Sequence, residues 1–195
     1  MQEGLVIDKN KTAVLIMDYQ YDISSEIPEE RRKPLMQKAA SVLDSARKAG
    51  LEIIYVAHVF REGYPEINPR NKVLNQFKTK GLYRNGSPGA KIHTEVSPQK
   101  GEILITKHRA SAFHDTDLET ILRVKGVTQL VIMGIATEGC VLSTVRRAAD
   151  LDYDIVIISD GCADPDEEIH DALVRKIFPR QATVITAQEF ISAIR

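Results

Sequence analysis

The chain has 195 residues, enough for one domain, residues 1–195, with a full core. Its 26 basic and 27 acidic residues leave a formal net charge of -1 with no basic stripe, so nucleic acid is not an expected partner. No apolar run approaches the roughly 20 residues that span a bilayer, no leader pattern is read at the N-terminus, and two cysteines make no disulfide framework, so a cytoplasmic protein without a membrane partner is expected.

In chain order, strands alternate with helices. Thr12 to Met17 is a continuous apolar run, the pattern of a strand covered on both faces, and it ends at Asp18. Pro34 to Ala49 carries apolar residues at helical spacing, with Gly50 suited to the C-terminal cap. Leu51 to Ala57 reads as a second strand and Glu102 to Lys107 as a third. Between them, Val59 to Gly101 is dotted with Gly and Pro; so long a loop in a compact domain is functional or hides a short element. Thr116-Asp117-Leu118-Glu119 has the form of a capping box for a helix that stops at Gly126. Gln129 to Met133, Asp154 to Ser159 and Ala182 to Ile185 are three more strands. Pro165 is expected at the first position of a helix after Asp164, and Thr186 with Glu189 frames the last helix.

Six strands with intervening helices imply an α/β fold: a single-domain, doubly wound, mostly parallel sheet with helices on both faces. Ligands of such sheets sit outside the carboxyl ends of the strands. Asp18 ends the first strand, Lys107 ends the third, and Cys140 follows the fourth across a short turn. A carboxylate, an ammonium and a thiol therefore share one rim, a set able to activate a nucleophile. Cys140 opens a helix with apolar Val141, Leu142, Val145, Ala148 and Ala149. The unpaired N–H groups there, with Lys107, are expected to favour thiolate. Asp18 can take the thiol proton and return it to a leaving amine. The backbone N–H groups of Ala136 and Cys140 are the expected oxyanion donors.

At these residues the chain resembles the isochorismatase-like cysteine hydrolases, which include nicotinamidases, N-carbamoylsarcosine amidase, ureidoacrylate and maleamate amidohydrolases, and isochorismatases. Four segments carry the likeness: Ala13-Val14-Leu15-Ile16-Met17-Asp18-Tyr19-Gln20, Thr106-Lys107 with Phe113, Gly134-Ile135-Ala136-Thr137-Glu138-Gly139-Cys140-Val141, and Asp160-Gly161-Cys162-Ala163-Asp164. The resemblance implies a triad of Asp18, Lys107 and Cys140, and a cis peptide before Ala136. Nicotinamidases carry Asp-x-His and a further His after the second strand. Here Ala57-His58-Val59-Phe60-Arg61-Glu62-Gly63 leaves His58 alone, so no metal and no cofactor is expected. The stretch from Phe60 to Ile67 with Pro69-Arg70-Asn71 resembles an uncharacterised subgroup.

The expected activity is hydrolysis of a small, non-peptide C–N bond in an amide, carbamoyl or ureido group, through a thioester on Cys140. The substrate is a small molecule, expected to carry a carboxylate. Tyr19, Gln20, Arg61, Phe113 and Thr137 are its candidate binding residues, with Arg61 suited to the carboxylate. His108 and His114 flank the Lys107 loop and are further candidates for the pocket. Cys162 is read as packing, and Asp160 and Asp164 as turn and cap residues. Two alternatives stand beside this: vinyl-ether hydrolysis of the isochorismatase type, and a non-catalytic binding or redox-sensing module in which Cys140 is oxidised reversibly. Finally, Tyr64, Ile67, Phe77, Leu82, Tyr83 and Ile92 are many apolar side chains for one projecting loop. They suggest a homo-oligomer, a dimer or tetramer, with part of that loop at the interface.

Overall fold

The computed structural model describes residues 5–194. Strand β1, Thr12–Met17, is buried at every position. It pairs with β2, Glu52–His58, on one side and β4, Gln129–Gly134, on the other. Beyond β2 lies β3, Ile103–Lys107; beyond β4 lie β5, Asp154–Ile158, and β6, Thr183–Ile185. The order is β3-β2-β1-β4-β5-β6. Every pairing is parallel, so the sheet expected to be mostly parallel is wholly so. The order reverses between β1 and β4, which makes their carboxyl ends the switch point where such sheets open a crevice.

Helices follow the strands. The short α1, Tyr21–Ser24, leads into α2, Glu29–Ala49, which begins five residues before the expected Pro34. Glu29 and Glu30 in its first turn suit the positive end of the dipole, and Gly50 closes it at φ 74°. The unread stretch holds α3, Lys72–Lys80. The helices α4, Leu118–Val124, α5, Leu142–Asp150, α6, Glu167–Ala172, and α7, Ala187–Ala193, complete the chain. Among the described residues no helix is long and apolar enough to cross a membrane.

Two helix starts differ from expectation. Asp117 stands at the N-cap of α4 without a side-chain bond, and the Thr116 hydroxyl donates to the Ala112 carbonyl at 2.6 Å while accepting from the Leu118 N–H at 3.4 Å. Asp166, not Asp164, caps α6, accepting from the N–H groups of Glu168 and Ile169. Pro165 therefore precedes that helix rather than opening it. The box of Thr186 and Glu189 on α7 forms as expected.

The 59–101 stretch does not project. Phe60, Tyr64, Ile67, Leu74 and Tyr83 form a second small core, with Ile23, Phe77 and Leu82 packed against it. Tyr64, Ile67 and Tyr83 are 7%, 6% and 3% exposed. The argument for an interface assumed that this stretch could not hide its own apolar residues; it does hide them, so that premise fails. The stretch is tied to the main body through α1: Asp22 accepts from the Tyr83 N–H at 2.6 Å and donates its own N–H to the Gly89 carbonyl at 2.8 Å.

Candidate active site

Sheet register brings the site together. His58 and Lys107 are partners across β2 and β3, and Met17 and Gly134 are partners across β1 and β4. Strands lie about 4.8 Å apart, so the end of β3 is about 10 Å from the end of β1. Two features close that gap. Asp18 leaves β1 with φ 55°, a left-handed turn that Asp tolerates better than most residues and that turns the chain off the strand line. Lys107 reaches over β2 on its four-carbon stem. Its Nζ stands 2.7 Å from Asp18 Oδ2, and both side chains are almost wholly buried.

The ammonium has three N–H groups and three neighbours. Besides Asp18 it faces the Arg109 carbonyl at 3.1 Å and His58 Nδ1 at 3.4 Å. A buried lysine needs such partners, since an unpaired buried charge is costly. Asp18 Oδ1, by contrast, is buried with no hydrogen-bond partner among the described residues.

Cys140 arrives from β4. The Ile135–Ala136 peptide bond is cis. Thr137–Val141 then forms one wide helical turn that runs into α5, so Cys140 lies within the first turn of the helical segment rather than at its first residue. Its thiol donates to the Ile135 carbonyl at 3.2 Å. Gly134 is needed here: a Cβ on it would stand 2.8 Å from the Met17 carbonyl oxygen and 3.3 Å from Cys140 Sγ. Within the turn, the N–H groups of Thr137, Glu138, Gly139 and Val141 meet Ala163, Asp164, Ala136 and Ala136 oxygens respectively. The Ala136 N–H has no acceptor among the described residues.

The electrostatics revise one expectation. Burial, and next the Asp18 carboxylate, push the Cys140 thiol well above its ordinary range, with Lys107 opposing. The resting group is therefore a thiol, not the thiolate expected from the helix start. Burial likewise raises Asp18, while Lys107 lowers it. A carboxylate made more basic beside a thiol made less acidic calls for proton transfer between the two at the moment of attack.

A model of the isochorismatase domain matches residues 12–189. The chain belongs to the isochorismatase family. It is 32% identical over 195 residues to the uncharacterised isochorismatase-family protein YwoC of Bacillus subtilis (strain 168), covering 100% of both chains. It is 30% identical to the ureidoacrylate amidohydrolase RutB of Rhizobium rhizogenes (strain K84 / ATCC BAA-868), over 96% of this chain and 81% of that one. Its fold matches N-carbamoylsarcosine amidase from Thermoplasma acidophilum with a TM-score of 0.72 at 24% identity, over 91% of this chain and 96% of that one. Members of the family are hydrolytic enzymes, and this chain is an isochorismatase-family hydrolase.

Not every expected residue of this hydrolase faces the rim with a free group. Tyr19 is buried, and its hydroxyl donates to the Gly161 carbonyl. Gln20 is wholly buried and spends its amide on the His58 N–H and carbonyl and the Ala90 carbonyl, at 2.7 to 2.8 Å. It clamps β2 to the covering stretch and has no hydrogen-bonding capacity directed at a ligand. Thr137 is buried with its hydroxyl 2.8 Å from His170 Nδ1. Phe113 is 8% exposed and packs near Tyr153 in the main core. Arg61 is a surface residue, its side chain 71% exposed and paired with Glu66 at 2.7 Å. Of the two flanking histidines, His108 is half-buried against the Val59 carbonyl and His114 is exposed beside Asp115.

Three residues were missed. His58 carries no metal-ligand spacing in the sequence, and among the described residues no three His, Cys, Asp or Glu side chains group as a metal site. Its signal was its place at the end of a strand next to the Lys107 strand. Tyr83 stacks on His58 with ring centroids 5.3 Å apart, and no periodicity marked it. Asp164, read as a cap, accepts from the Glu138 N–H at 2.9 Å and so pins the Cys140 turn. Cys162 is buried packing, its thiol pushed up to about 12 by burial.

Proposed function

We propose that this hydrolase cleaves an amide or ureido C–N bond through a thioester on Cys140. The observation that carries the reading is the buried Asp18–Lys107 pair with the Cys140 thiol beside it and Asp18 Oδ1 left open. Lys107 is the charge stabiliser. It holds Asp18 in place and keeps the carboxylate ionised against the cost of burial. Asp18 is the proton shuttle. It takes the thiol proton as Sγ attacks the carbonyl carbon, then gives it to the departing nitrogen as the C–N bond breaks. The oxyanion is received by the N–H groups of Ala136 and Cys140; one such donor is worth about 100- to 1000-fold in rate. A water, deprotonated by Asp18, then attacks the thioester, and the acid leaves with the thiol restored.

The ureidoacrylate amidohydrolase relatives support an amide or ureido bond over a vinyl ether. They also support a carboxylate on the substrate, since the compound in their name is an acid. The test is a panel of small amide and ureido acids, followed by intact-protein mass spectrometry after rapid quench. An added acyl mass on Cys140 is expected, and none on a Cys140→Ala variant, which should also lose turnover. Undiminished hydrolysis by Cys140→Ala would overturn the thioester; a Cys140–Cys162 disulfide with no hydrolysis of any compound would favour the redox module.

A further inference from the structure

His58 is buried beside Lys107 and takes no part in the steps above, which rest on Cys140 as the nucleophile. Its surroundings fix it closely. Phe60 lies 4.8 Å from its ring, Tyr83 stacks at 5.3 Å, and Phe77 meets it edge-on at 5.6 Å. The imidazole therefore has no room to swing towards a new partner.

Its tautomer follows from its neighbour. An ammonium only donates, so at the 3.4 Å contact with Lys107 the Nδ1 atom accepts. Burial first, and the Lys107 charge second, hold His58 well below the usual histidine range, with the His108 backbone opposing. The ring is neutral, and its one proton sits on Nε2. That N–H is buried; the His108 backbone lies near the ring, but no acceptor among the described residues meets Nε2 in hydrogen-bond geometry. A buried donor without a partner is unfavourable, and a folded chain tolerates it chiefly where something else supplies the partner.

A second open atom belongs to the same cluster. Asp18 Oδ1 is also buried and unpartnered, and Asp18 Oδ2 shares the Lys107 ammonium with His58. The site thus presents one open acceptor and one open donor on groups bound to a single fixed cation. Proton transfer uses the acceptor. The donor has no use inside the protein. Close by, the half-buried guanidinium of Arg109 has only the His108 and Glu66 carbonyls as partners among the described residues, which tips the local charge towards an anion.

We propose that His58 is a specificity residue: its Nε2–H donates a hydrogen bond to an acceptor on the acyl part of the substrate, a carboxylate first, and the rings of Phe60, Phe77 and Tyr83 hold the imidazole in that pose. This rests on Cys140 being the nucleophile. The rings also make the wall flat and apolar, so a short planar acyl group suits it better than a branched one.

Two aldehydes of equal heavy-atom count test it, glyoxylate and isobutyraldehyde. Each can add reversibly to Cys140: a C–S bond forms, and the thiol proton ends on the former aldehyde oxygen, so no further reactant is needed. Affinity is read as protection of Cys140 from iodoacetamide, followed by mass spectrometry. Wild-type protein should bind glyoxylate about tenfold or more tighter than isobutyraldehyde. His58→Asn keeps an oxygen to accept from Lys107 but lacks the far donor. It should bind both aldehydes within about twofold of each other, with isobutyraldehyde unmoved. His58→Gln, whose amide N–H reaches close to the Nε2 position, should recover part of the preference. An unchanged preference in His58→Asn would overturn the proposal. Failure of both aldehydes to protect wild-type Cys140 would overturn the nucleophile reading itself, and this proposal with it.

Discussion

The centre of the sheet and the stretch that covers it solve the same problem by different means. At the centre, β1 and β4 carry continuous apolar runs, and register alone sets Met17 beside Gly134 and so Asp18 near Cys140. Position there is inherited from hydrogen-bonded strands and tolerates little change. The covering stretch has no such frame. It packs on His58 with a separate small core of Phe60, Tyr64, Ile67, Leu74 and Tyr83, and is tied by single polar bonds through Asp22 and Gln20. Two of its residues, Tyr64 and Tyr83, take left-handed backbone angles of 56° and 57°, which for bulky side chains persist only under surrounding constraint. The contrast separates a rigid floor that carries the reacting groups from a cover that shapes the space above them.

The largest effect is expected where the two regions share a charge. Lys107→Met leaves the buried Asp18 carboxylate without its partner, which should cost about 3–5 kcal/mol of stability and nearly all turnover. The sign can be followed with pH. Without Lys107, burial raises Asp18 further above its unfolded value. Protonation then favours the folded state, so the deficit against wild type should grow as the pH rises above the raised wild-type value and shrink as the pH falls back towards about 4, where Asp18 is protonated in both folded forms. Adding Asp18→Asn should restore most of the stability and none of the activity. Denaturant melts of the single and double variants decide it; a double variant no more stable than the single would show that the pair is not coupled.

Gly134→Ala tests the floor. The added methyl meets the backbone oxygen of Met17 at 2.8 Å, and neither strand can move away without breaking the ladder. A loss of about 1–3 kcal/mol is expected, typical of overpacking, together with a fall in kcat from a displaced Cys140. Phe77→Ala tests the cover. Phe77 is only half-buried, so about 1–2 kcal/mol is expected. Hydrogen exchange should place that loss in residues 60–85 and leave β1 and β4 protected. Equal loss of protection in both regions would mean that floor and cover are one cooperative unit.

The same contrast explains what was legible beforehand. A strand buried on both faces announces itself as an unbroken apolar run, so β1, β2, β4 and β5 could be read directly, while the edge strands β3 and β6, partly exposed, were read as shorter apolar stretches in the same alternation. The rim residues followed, because strand ends fix Asp18, Lys107 and the Cys140 turn. Side-chain partners were less legible. Nothing in the local pattern says that Gln20 spends its amide on β2 and residue 90, or that Tyr19 reaches Gly161, because those are contacts between segments 38 to 142 residues apart. The cover was illegible for the same reason: its apolar residues have no period, since they pack on one another around turns rather than along an element. The thiolate expectation failed on burial. A helix start and a lysine are visible in sequence, but the desolvation that outweighs them is not.

Arg61 gives the smallest effect and the finest division between the two regions. On the sequence it was the natural anchor for a substrate carboxylate. In the fold its guanidinium is exposed and pairs with Glu66, whose own side chain is nearly buried. Burial raises Glu66, but the N–H groups of Glu66 and Arg61 and the Arg61 side chain outweigh it and bring the carboxyl below its ordinary value. A depressed carboxyl contributes stability above its unfolded pKa and loses it as the pH falls. Arg61→Ala should therefore cost about 1 kcal/mol at neutral pH, since the arginine end of the pair is solvated, and the difference from wild type should vanish below about pH 4. KM for a carboxylate-bearing amide should stay within about twofold of wild type, because the exposed Arg61 guanidinium is held by Glu66. A tenfold rise in KM with kcat unchanged would return Arg61 to the substrate and make the cover a direct binding surface, not only a wall.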